Sequence, residues 1–89
     1  MIQAKPPSAG VISGVRPGSL AEEAGIESGD AVVAVAGVIL RDVVDYQFHQ
    51  ADAEVQVHIR KADGLEDLII FEKDVDEDLG IEFERPTWD

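Results

Sequence analysis

Two histidines, four serines and an abundance of carboxylates are the side chains of this sequence able to do chemistry. His49 and His58 would suit a metal ion, but neither belongs to the short spacings that gather ligands on one helix or hairpin. Asp74, Asp76 and Asp78 alternate like the start of a calcium loop. Such a loop needs glycine at its sixth position and glutamate at its twelfth; counted from Asp74 these are Leu79 and Arg85. Ser8, Ser13, Ser19 and Ser28 fall in lead-in, strand or turn contexts, and Ser19 suits a helix cap better than a nucleophile. The absence of cysteine excludes, within these residues, a disulfide, a thiolate zinc site, a cysteine nucleophile and a cysteine-held iron–sulfur cluster. With 19 acidic residues against 7 basic ones, the net charge of −12 repels phosphate backbones and anionic membranes. The chain is therefore expected to be no enzyme, to hold no cofactor, and to bind neither nucleic acid nor membrane. What remains is noncovalent: groups positioned to hold another chain.

Those groups must be carried by one domain, because 89 residues give room for a single core. The balance of 45% hydrophobic and 29% charged residues is that of a folded globular chain. No run approaches the roughly 20 apolar residues that span a bilayer, and Met1 to Pro7 lacks the apolar segment of a secretory signal, so a cytoplasmic location is expected.

Met1 to Gly10, with Pro6, Pro7 and Gly10, reads as a flexible lead-in. Val11 to Val15 reads as a strand, and Pro17-Gly18 as a tight turn. Ser19 is placed to cap a short helix from Leu20 to Ala24, with Glu22 completing a capping box and Gly25 ending the helix. A turn through Gly29-Asp30 launches the buried strand Ala31 to Val35. Asp42 marks the start of a second helix running to about Gln50, whose buried face is to be decided among Val43, Val44, Tyr46, Gln47 and Phe48. Glu54 to Arg60 and Leu68 to Glu72, joined by Ala62-Asp63-Gly64, read as a hairpin, with His58 packing across its strands. The acidic run Asp74 to Asp78 should be solvated. In Leu79 to Glu84 alternation returns: Leu79, Ile81 and Phe83 face one way, Glu82 and Glu84 the other. Pro86 stops that strand.

The stretch Val15 to Gly37, with its Pro-Gly turn, capped helix, glycine stop and Gly-Asp turn, closely resembles the signature of bacterial PDZ domains. The resemblance implies an α+β, mostly β fold: a partly open antiparallel barrel or sandwich with two helices and permuted strand order. Residues 1–10 would be the lead-in, 11–85 the domain and 86–89 the start of a linker. Ala36 stands where the family usually has asparagine, which alters the turn type or removes a side-chain hydrogen bond. The same resemblance makes Leu79, Gly80 and Ile81 the loop whose N–H groups receive a peptide carboxylate. Ile81, Glu82, Phe83 and Glu84 would be the exposed strand to which a peptide adds, with Val43, Tyr46, Gln47 and Gln50 as the opposite wall; Tyr46 is equally compatible with plain core.

Arg41 to Phe48, Arg60 to Gly64, Glu72 to Phe83 and Pro86 to Asp89 more specifically resemble the N-terminal head of radical-SAM-like iron–sulfur proteins of poorly defined function. This implies an excised head, monomeric as a fragment, whose parent carries its cluster in a following cysteine-containing domain. Three readings stand: a module binding a peptide or protein strand, a structural head docking on the parent's own following domain, and a regulatory domain of a bacterial membrane or periplasmic protease. Trp88 would be an interface anchor or part of the linker. Asp76, Glu77 and Asp78 repel a peptide carboxylate, favouring a basic or internal peptide over ordinary C-terminal capture.

Overall fold

The strand β1, Gly10–Val15, begins one residue inside the expected lead-in. The computed structural model describes residues 9–87, so the lead-in expected for Met1 to Ser8 and the role of Trp88 lie outside the described residues. After β1 the Ser19 hydroxyl accepts from the Glu22 N–H and caps the helix α1, Leu20–Glu23. Glu22 returns its carboxylate to the N–H of Gly18 at 2.9 Å, one residue earlier than in a reciprocal capping box. Gly25, at φ +85°, ends the helix: its N–H bonds the Glu22 carbonyl while that of Ile26 bonds Ala21. These are the paired bonds of a left-handed glycine cap.

The strand β2, Ala31–Val35, is buried along its whole length, which explains its unbroken apolar run. Ala36 and Gly37, at φ +54° and +78°, turn it into β3, Val38–Ile39. Positive φ at both positions is the type I′ hairpin geometry, so the turn forms without asparagine and Ala36 bears the strain. The helix α2, Val43–Gln50, starts at Asp42, whose carboxylate accepts from the Asp45 N–H at 2.8 Å.

The strands β4, Glu54–Arg60, and β5, Glu66–Glu72, form the expected hairpin. Val57 lies opposite Ile69 and Val55 opposite Phe71 on the core side, while His58 lies opposite Leu68 and Gln56 opposite Ile70 on the outer side. The last strand, β6, is Ile81–Phe83, shorter than the expected Leu79 to Glu84. Its alternation is as expected: Leu79 and Ile81 are buried, Phe83 half-buried, Glu82 and Glu84 exposed.

Among the described residues six strands form one antiparallel sheet in the order β5-β4-β2-β1-β6, with β3 paired to β2. Together with two helices this is the expected mostly β, antiparallel architecture. Ile12, Ile26, Val32, Val35, Leu40, Val57, Ile59 and Leu79 make up its core with Tyr46 and Phe71.

Of the residues offered for the buried face of α2, Tyr46 is buried and Val43 half-buried, whereas Gln47 is exposed and Val44 and Phe48 are 75% and 74% exposed; Gln50 is buried as well. At Pro86 and Thr87, the expected start of a linker, the Val43 N–H donates to the Pro86 carbonyl at 2.8 Å and Thr87 bridges to Asp42. The chain is fastened to the start of α2, which leaves the Val43 N–H, one of the helix's orphan donors, satisfied.

Candidate functional site

A cleft of about 320 Å³ separates β6 from α2 and is lined by Val43, Gln47 and residues 81–86. One wall is a strand at the end of the sheet order, with β1 on its inner side: Ile81 pairs with Val15 and Phe83 with Ile12. The other wall is a helical face, and one turn of α2 separates Val43 from Gln47 so that both reach the cleft. A strand edge opposite a helix is the arrangement that accepts an extended peptide: the edge supplies backbone partners and the helix supplies side-chain contacts.

The structure thus brings together Val43, Gln47, Ile81, Glu82, Phe83 and Glu84 of the expected site residues, and adds Arg85 and Pro86. Tyr46 and Gln50 belong to the same helix but lie beneath the cleft, 0% and 6% exposed. The Tyr46 ring meets Phe83 edge-on, with centroids 4.9 Å apart, and so braces the strand wall from inside. Burial pushes the Tyr46 phenol well above its ordinary pKa; the Asp78 carboxylate adds to this and the Arg16 guanidinium opposes it. Its hydroxyl has no hydrogen-bond partner among the described residues, nor has the Gln50 Oε1. The Gln50 amide donates to the Gln47 Oε1 at 3.2 Å, linking the buried amide to the exposed one.

Leu79 is fully buried, and the backbone of the loop it opens is tightly held. The Leu79 carbonyl accepts from the Ala21 N–H at 3.0 Å and the Gly80 carbonyl from the Arg16 N–H at 2.8 Å. Gly80 has φ +91°, and a Cβ there would fall 2.2 Å from the Cβ of Ser19. Only glycine allows this loop to lie against the cap of α1. The Gly80 N–H donates to the Asp78 Oδ1 at 2.7 Å, and the same oxygen receives the Arg16 Nη2 at 2.9 Å. Asp78, read from the sequence as part of a solvated acidic run, is therefore a fixed element of the loop.

Asp30 is the most deeply buried charge, 2% exposed. Its carboxylate accepts from the Glu27 N–H at 3.0 Å and the Ala62 N–H at 3.1 Å, and pairs with the Lys61 ammonium. Burial pushes this carboxyl up, but the bonds from Lys61, Glu27 and Ala62 together outweigh it and hold the pKa below the ordinary value. The Lys61 pKa is raised, chiefly by its bond to Asp30. The pair ties the turn of the β4–β5 hairpin to the start of β2 and lies away from the cleft.

A second depression, of about 380 Å³, lies on the outer sheet face, lined by Val33, Ala34, Gly37, Ile39, Gln56, His58 and Leu68. His58 does not simply pack there; it pairs with the Glu66 carboxylate. No group of three or more His, Asp or Glu among the described residues is arranged to hold a metal ion. No helix among them is long and apolar enough to cross a membrane.

The family model described as PDZ domain matches residues 11–60, more than half of the chain. The match contains the α2 wall and ends before the hairpin turn, so β6 lies beyond it and is assigned to the site by geometry alone; Leu79 and Gly80 precede β6 and do not line the cleft. No curated protein matches the chain.

Proposed function

Because the chain belongs to the PDZ domain family, whose members are generally non-catalytic modules that bind peptide or protein strands, we propose that it holds an extended segment of another chain between β6 and α2. The observation that carries this reading is the cleft itself, with the last strand of the sheet order on one side and Val43 and Gln47 on the other. An added strand would run along β6 and present alternate side chains to Val43 and Gln47.

The finer reading is that this module heads a larger radical-SAM-like iron–sulfur protein. It is supported by the resemblance of Arg41 to Phe48, Glu72 to Phe83 and Pro86 to Asp89 to such heads. The bond between Pro86 and Val43 favours a related possibility, that the occupant belongs to the same protein. Pro86 itself lines the cleft.

Titrating the isotope-labelled chain with a pool of basic, apolar peptides while recording amide shifts tests the reading. Saturable shifts from Ile81 to Glu84 and at Val43 and Gln47 are expected. Shifts confined to Ile39, His58 and Leu68, or none at millimolar peptide, would overturn it.

A further inference from the structure

A loop that captures a peptide's terminal carboxylate must offer it free N–H donors, and a nearby cation strengthens the capture. In this loop the Gly80 N–H and the Arg16 guanidinium are both already bonded to one carboxylate oxygen, that of Asp78. Arg16 and Gly80 are joined a second time through the Arg16 N–H and the Gly80 carbonyl. The arrangement is therefore fixed by backbone as well as side chains. A peptide carboxylate entering here would have to displace Asp78, or lie against it with Asp76 and Glu77 close by in sequence. Like charges brought together in this way oppose binding.

The cleft, into which this loop leads at Ile81, points to the opposite charge. Its charged lining is Glu82, Glu84 and Arg85, two acids against one base, in a chain of net charge −12. We infer that Asp78 is a built-in occupant of the carboxylate-accepting loop, and that the cleft consequently selects internal, lysine- or arginine-bearing segments over chain ends. The inference rests on the peptide-binding reading of the cleft. Asp78 then acts as a specificity residue: it denies the loop to a terminus and leaves the walls of the cleft to an uninterrupted strand.

The test uses the acetylated peptide Gly-Lys-Val-Lys-Val-Lys-Val-Gly in two forms, one amidated to imitate an internal segment and one ending in a free carboxylate. Its valines alternate toward the cleft and its lysines toward Glu82 and Glu84. On the unmodified chain the amide is expected to bind at least about tenfold more tightly than the acid. Asp78→Ala frees the Gly80 N–H and Arg16, and is expected to erase or invert that preference. Asp78→Asn, which keeps an acceptor for Gly80, should narrow it in the same direction and serves as the second variant if the alanine form does not fold. Exchanging the lysines for glutamine should weaken binding about fivefold at low salt.

An acid form that binds the unmodified chain as tightly as the amide would overturn the inference while leaving the peptide site in place. Equal affinity of the glutamine and lysine peptides would overturn the basic preference. Absence of saturable shifts with both end chemistries would remove the peptide site and the inference together.

Discussion

The sheet has two ends, β5 and β6, and they are finished differently. At β5 the strand runs from Glu66 to Glu72 and exposes Leu68 and Ile70, 61% and 59% accessible, on its outer face. A cleft beside it is lined by His58, Glu66, Asp67 and Leu68, from strands alone. Acidic residues at Glu66, Asp67 and Glu72 protect such an edge from pairing with other chains. At β6 the strand is only Ile81–Phe83, and α2 stands across from it. A bare edge offers every strand the same backbone, whereas an edge with a second wall can discriminate by side chain. The facing helix, not exposed apolar area, is what singles out the β6 end as the proposed peptide site.

The two ends also differ in how their turns are fixed, and glycine substitutions should separate them most. At Gly80 a methyl group meets Ser19 and a positive φ together, so Gly80→Ala is expected to cost about 3–5 kcal/mol. Gly64, in the β4–β5 turn at φ +93°, has open space where its Cβ would stand, and Gly64→Ala should cost only about 1–2 kcal/mol. Urea denaturation of both variants measures the contrast; equal losses would show that the loop before β6 yields easily.

Each end has a carboxylate clamp as well, one buried and one at the surface. Asp30→Ala leaves Lys61 and two N–H groups without their acceptor and should cost about 2–3 kcal/mol at neutral pH. Because the folded pKa of Asp30 lies below the unfolded value of about 3.9, the carboxylate adds stability above that pH and loses it as pH falls through the folded pKa. The gap between the two proteins should therefore narrow below about pH 4 in denaturation measured across pH. Arg16→Ala breaks a pair whose side chains are 55% and 37% exposed, and should cost less than about 1 kcal/mol, with a smaller loss in high salt.

A small effect of the opposite sign is expected between the ends, at the β2–β3 turn. Ala36 holds φ +54°, so Ala36→Asn should stabilise the chain by about 0.5–1 kcal/mol in thermal melts.

Much of this architecture was legible because its signals are local. Pro17-Gly18, the Ser19 cap, Gly25 and the Gly29-Asp30 turn each act on neighbouring residues, and the valine-rich run of β2 announces its own burial. The face of α2 was harder to read. Val43, Tyr46, Gln47 and Gln50 form one stripe, but Val44 and Phe48 form another, more apolar one a residue around the helix. Only the position of β6 decides between them. Burial of Tyr46 and Gln50 beneath the cleft follows from the same packing. Contacts between distant segments left no signal in the sequence: Asp78 on Arg16, Gly80 on Ser19, Asp30 on Lys61, Pro86 on Val43. Asp78 therefore looked like one more solvated acid.

On the proposed function, a bound peptide becomes a strand beside β6 and under α2. Intermolecular proton contacts in the peptide complex, measured by NMR with the amidated lysine–valine peptide, test it most directly. Backbone contacts from the peptide to Ile81 and side-chain contacts to Val43 and Gln47 are expected. Contacts to Leu68 and Ile70 at the opposite end of the sheet would contradict it.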